Sequence, residues 1–233
     1  MTNDKSNIKI GFFESTRFLF LITWVGGYID AYTYIVRGGV FANNHTGNVC
    51  NLGIAIANLN WCKAAQCLVP IVSTILGATF SCLCKVVIER HHNKGDWRKI
   101  ALSLELFVLF IVGFIPTSIS NLIVNGLISF VTGFQLCLFR SWWGNAHNTT
   151  ICTGNLRALG QYFYQFICER NNFTRKMVIY YSFLIFAFIF GNMVCAYICS
   201  KFLFVRSVWI ACIVLIVMIF IMNIKGQNNI ILN

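Results

Sequence analysis

Two carboxylates lie inside apolar runs of this chain: Asp30, about two-thirds along the first, and Glu105, more than a turn into the third. An ionisable group at depth in an apolar helix is costly and usually faces a bundle interior or a cavity. Each is therefore a candidate to hold a cation, a proton or a small solute. The plainer alternative is that Asp30 pairs with Arg140 or accepts from a neighbouring backbone. A second candidate group is FANNHTGNVCNLG at residues 41–53, where Thr46-Gly47-Asn48 precedes a short apolar segment. Its counterpart is Thr153-Gly154-Asn155. A Thr or Asn side chain can accept an orphan N–H in the first turn of a helix, and Gly lets the chain turn into it. The candidate binding residues are thus Asp30, Thr46, Asn48, Glu105, Gln135, Thr153 and Asn155. Gln135 and Asn125 also suit hydrogen bonding between helices.

Metal and catalytic chemistry find little support. Most of the eleven cysteines fall in apolar runs, where a thiol packs as a small hydrophobe. No Cys-x-x-Cys occurs, and the four histidines have no metal spacing. No metal and no cofactor are expected. His-x-x-x-His and Gly-x-Ser-x-Gly are absent too, so the chain reads as something other than an enzyme.

Composition says what elements carry these residues. The 233-residue chain is 58% hydrophobic and 11% charged, with mean hydropathy +0.70. That is the profile of a polytopic, all-α integral membrane protein forming one membrane domain over residues 1–233. The net charge of +11 fits basic loops facing anionic lipid better than nucleic acid, which is excluded as a partner. The expected partners are the lipid bilayer and a small solute or ion, and an oligomer is compatible with the sequence.

Six segments approach the length of about 20 apolar residues that crosses a hydrocarbon core: Phe18–Val36, Ala64–Ile88, Ile100–Pro116, Leu122–Phe139, Met177–Ser200 and Ser207–Asn223. Two shorter stretches, Asn48–Asn58 and Asn155–Phe166, would each extend roughly 17 Å as helices, about half a bilayer. With the N-terminus inside, 14 of the 18 basic residues fall on the inner side. The outer side keeps only Arg37, Lys63, Lys201 and Arg206. Both termini are therefore expected in the cytoplasm, with residues 1–16 a cytoplasmic lead-in.

The two Thr-Gly-Asn stretches belong to a longer repeat. Thr46-Gly47-Asn48, Leu52 and Gly53 recur as Thr153-Gly154-Asn155, Leu159 and Gly160 at a constant offset of 107, and Gly27 corresponds to Gly133 at an offset of 106. The order span, polar loop, Thr-Gly-Asn, short helix, span, span also repeats, which indicates duplication of about 17–117 as about 120–224. Three spans per half would give inverted repeats related by an axis in the membrane plane. Gly27, Gly47, Gly53, Gly133, Gly154 and Gly160 are then expected to be structural glycines. Two readings of the short helices stay open: capped helices lying in the interface, or half-helices dipping in from opposite faces to frame a polar site.

The stretch GGYIDAYTYIVRGGVFANNHTGNVCNLG resembles the N-terminal signature of YoaK-type bacterial membrane proteins, domain-of-unknown-function family 1275. The likeness falls on Gly27, Asp30, Ala31, Gly39, Phe41, Thr46, Gly47, Asn48, Leu52 and Gly53. In the second half it falls on Gly133, Gln135, Arg140 and the second Thr-Gly-Asn, with Leu136 where an Asn is common. The resemblance implies six-span proteins of the bacterial inner membrane and assigns no reaction. A small-solute or ion transporter or channel, with its site at the repeat interface, is the first functional expectation. A membrane scaffold or sensor is the second, and an intramembrane enzyme the third.

Overall fold

The computed structural model describes residues 16–90, 97–137, 141–142, 145–146 and 152–231. The lead-in, His91, His92, Arg140 and His147 fall outside them. Among the described residues the regular structure is helical, apart from a two-residue antiparallel ladder of Ser141–Trp142 (β1) with Asn145–Ala146 (β2). The helices are α1 (Thr16–Val36), α2 (Thr46–Ala57), α3 (Trp61–Arg90), α4 (Trp97–Val112), α5 (Asn121–Leu136), α6 (Cys152–Glu169), α7 (Asn172–Ile198) and α8 (Val208–Ile231). Each apolar segment read from the sequence thus has its helix, with ends moved by a few residues.

Among the described residues, three helical runs are long and apolar enough to cross a membrane: Arg17–Val36, Trp61–Val86 and Asn172–Asn223. The last has 52 residues, about 78 Å if straight, more than twice a hydrocarbon core. It is broken by a π turn at Cys199–Leu203 and a 3-10 turn at Phe204–Ser207. Phe204 there takes a left-handed φ of 33°. A break frees carbonyls that need donors. Two tyrosines of α1 supply them, Tyr28 to Ser207 O at 2.7 Å and Tyr32 to Val205 O at 3.1 Å.

α1 is the centre of the bundle. Its apolar window is 78% buried, against 22% for Trp61–Val86. The most extensive packing is α1 on α7 and α3 on α5; α2 lies on α3, α6 on α7, α4 on both α5 and α8, and α1 on α8. The two main crossings are made by glycines. A Cβ on Gly27 would collide with the Phe188 carbonyl and one on Gly191 with the Trp24 carbonyl, while Gly77 and Gly133 stand likewise against Phe130 and Thr74. Backbones in such contact admit no side chain between them. The other repeat glycines differ. A Cβ on Gly47 would only press on the Phe41 ring, and one on Gly53, Gly154 or Gly160 would meet nothing.

Candidate functional site

Residues 37–45 connect α1 to α2, and three helices show the course they take. On α5, Asn125 donates to Arg37 O at 2.8 Å and Thr132 to Ala42 O at 2.8 Å. Those two residues are about 10 Å apart along the axis, so the loop descends α5 by two turns. On α1 the loop returns to Asp30, six residues before the helix ends at Val36. On α3 it reaches Thr74, about 20 Å from the end at Trp61. The loop therefore runs back down into the bundle, and α2 climbs out again toward α3. The first residues of α2 therefore lie deep among the helices of the bundle.

Asp30 ties the lowest part of the loop. Its Oδ1 accepts from the backbone N–H groups of Asn43 at 2.8 Å and Asn44 at 3.3 Å, and its Oδ2 accepts from Asn44 Nδ2 at 2.8 Å. One turn on, the Thr33 hydroxyl accepts from the N–H of Ala42 at 3.3 Å. A carboxylate that takes several donors is stabilised without a countercharge. The alternative partner raised from the sequence, Arg140, lies outside the described residues. Beside this cradle the Asn43 side chain is 3% exposed, and among the described residues neither its Oδ1 nor its Nδ2 has a partner.

Asn48 does not cap α2 in the manner expected from its place in the sequence. The residue at the cap position is His45, and no side chain there accepts a backbone N–H of the first turn. Asn48 instead turns its carboxamide onto Phe41, accepting from its N–H at 3.0 Å and donating to its carbonyl at 2.5 Å. Only a group with a donor and an acceptor side by side can do this, which explains Asn rather than Asp. Its second N–H meets His45 Nδ1 at 3.2 Å. That nitrogen must accept, so the proton sits on Nε2 and is donated to the Thr74 hydroxyl at 2.5 Å. Thr74 passes its own hydrogen to Ser129 O at 3.1 Å.

The remaining predicted residues separate into two places. Glu105 on α4 and Gln135 on α5 form their own buried pair, with Gln135 Nε2 donating to Glu105 Oε2. The other place is the head of α6, where Asn155 is 3% exposed on the first turn, as Asn48 is buried on α2. Thr46 and Thr153 both face outward.

Several participants escaped the sequence reading. Arg37, counted there as an outer cation, is fully buried. It donates to the carbonyls of Val112, Ile115 and Pro116 at the end of α4, at 3.2, 2.7 and 3.4 Å, and to the Tyr32 hydroxyl at 3.0 Å. A cation there complements the negative end of a helix. Thr74, Ser129 and Thr132 were missed as well. The spacing of Asp30, Thr33 and Arg37, one helical face, is the signal that would have found the α1 side.

No curated protein and no solved structure matches this chain. A family model matches residues 18–221, nearly its whole length, and the chain belongs to that family, described as a protein of unknown function (DUF1275).

Proposed function

We propose that this protein is a six-span transporter or channel of the bacterial inner membrane, for a small polar solute or an ion, with both termini cytoplasmic. Two inverted repeats of three spans and one half-helix compose it. The packing supports that duplication. Exchanging α1 with α5, α2 with α6, α3 with α7 and α4 with α8 turns α4 on α8 into itself and each other helix contact above into another of them. Gly27 and Gly191 exchange in the same way with Gly133 and Gly77. The proposed orientation rests on the excess of basic residues on one side.

The observation that carries the transport reading is Asn43. A buried carboxamide with both polar atoms unbonded among the described residues calls for an explanation, such as a ligand partner. Beside a buried carboxylate at the start of a half-helix, that partner is the transported species or the water it replaces. Asp30, Asn43 and the Ser129 hydroxyl, which is also buried and unpartnered among the described residues, are the groups proposed to meet it.

Proteoliposomes test this reading with defined probes: urea and glycerol by osmotic swelling, and sodium, potassium and chloride by ion-selective electrodes. At least one flux should exceed that of empty liposomes, and Asn43→Ala should abolish it while the protein keeps its melting temperature. Full flux in folded Asn43→Ala, or no flux of any probe, counts against the site.

A further inference from the structure

The turns that follow the two short helices share a backbone and differ in charge. Leu59 (φ 54°) and Arg170 (φ 47°) take the left-handed conformation at corresponding places. In each turn the next residue is an Asn that accepts a backbone N–H three residues on, Asn60 from Lys63 at 3.0 Å and Asn171 from Thr174 at 2.8 Å. Because Leu59 makes this turn, the conformation itself has no need of a cation. The exposed groups around the first turn include Leu59 and Trp61. Around the second they include Arg170, Arg175 and Lys176.

Arg170 and Arg175, with Phe166, Ile167, Asn171 and Asn172, line an open cavity of about 520 Å³. Asn172 is also the first residue of α7, so the positive end of that helix adds to the field of the two guanidinium groups. The one carboxylate in the turn, Glu169, accepts from Asn171 Nδ2 at 2.7 Å. Apolar surface flanks the cationic groups, with Ile167 58% and Phe173 47% exposed. Two guanidinium forks suit phosphate oxygens, and exposed apolar side chains beside them suit acyl chains.

We propose that this cavity binds the phosphate of an anionic phospholipid headgroup, with Arg170 and Arg175 as its cationic arms and Ile167 and Phe173 against the lipid chains. A free phosphate would use the cations and have no use for the apolar flank. A lipid uses both, and a basic cavity at the end of a membrane-embedded helix pair is a recurrent headgroup site.

The test takes the full-length protein in neutral detergent and titrates it with phosphatidylglycerol or phosphatidylcholine of matched chain length. Native mass spectrometry counts the retained lipid. Phosphatidylglycerol should be retained in preference, and R170Q/R175Q should weaken its retention roughly tenfold. R170K/R175K, which keeps both charges, should retain most of it. K201Q/R206Q removes equal charge beyond the far end of α7 and should change nothing. Equal loss in K201Q/R206Q, no loss in R170Q/R175Q, or a loss in the lysine pair as large as in the glutamine pair would overturn the site. Displacement of phosphatidylglycerol by millimolar inorganic phosphate would overturn the lipid assignment in favour of a free anion.

Discussion

α2 and α6 carry the same Thr-Gly-Asn in their first turn and end in the same turn, but their heads have different surroundings. α2 has 12 residues and no charge, whereas α6 has 18 and carries Arg157 and Glu169. At the head of α2 the preceding span supplies Asp30, which takes three donors from the incoming loop. The position 106 residues on is Leu136, whose side chain accepts nothing. The buried Asn of the first turn is common to both heads, and so is the outward Thr. The short helix and its Asn therefore belong to the shared framework. Asp30 has no carboxylate counterpart at position 136.

Removing Asp30 is the strongest way to break this contrast. Asp30→Ala leaves two backbone N–H groups and an amide without an acceptor. At about 1–3 kcal/mol per buried donor, the loss should be at least about 3 kcal/mol, or roughly 6 °C in thermal melting. Leu136→Ala in the other half should cost only about 1 kcal/mol. Equal losses would mean that the two heads are anchored alike.

The glycines provide the next contrast. Gly27→Ala and Gly133→Ala force apart backbones already in contact, and each should cost about 1–3 kcal/mol by the same melting assay. Gly53→Ala and Gly160→Ala fill open space inside helices and should stabilise by up to about 1 kcal/mol. A cost at Gly53 would point to a neighbour that a single chain does not contain. Asn48→Asp keeps the shape and deletes the donors to Phe41 and His45. It should lower stability by about 1–2 kcal/mol, with Asn48→Ala no better.

The helices and their order were legible because apolar runs and loop charges record them directly. Gly27 and Gly133 could be singled out from the repeat alone. The roles of the polar groups could not. Asn48 looks like a helix cap until the loop before it is seen to fold back, which brings Phe41 within its reach. Arg37 was counted as a free outer cation because a sequence gives its place in the chain without showing that the end of α4 covers it. Glu105 and Gln135 stand 30 residues apart, and nothing local to either announces the other. Thr74 and Thr132 are ordinary hydroxyls in apolar helices until a descending backbone needs their hydrogen bonds.

The proposed transport site requires that α2 start deep in the bilayer and climb out of it. Depth-dependent quenching measures this directly, using a fluorescent non-natural amino acid at Thr46 or at Asn58 and lipids spin-labelled at the headgroup or along the acyl chain. A 12-residue helix separates its ends by about 18 Å. The Thr46 reporter should be quenched most by labels far along the acyl chain, and the Asn58 reporter most by the headgroup label. Quenching of both reporters chiefly by the headgroup label would lay α2 flat in the interface and contradict the account.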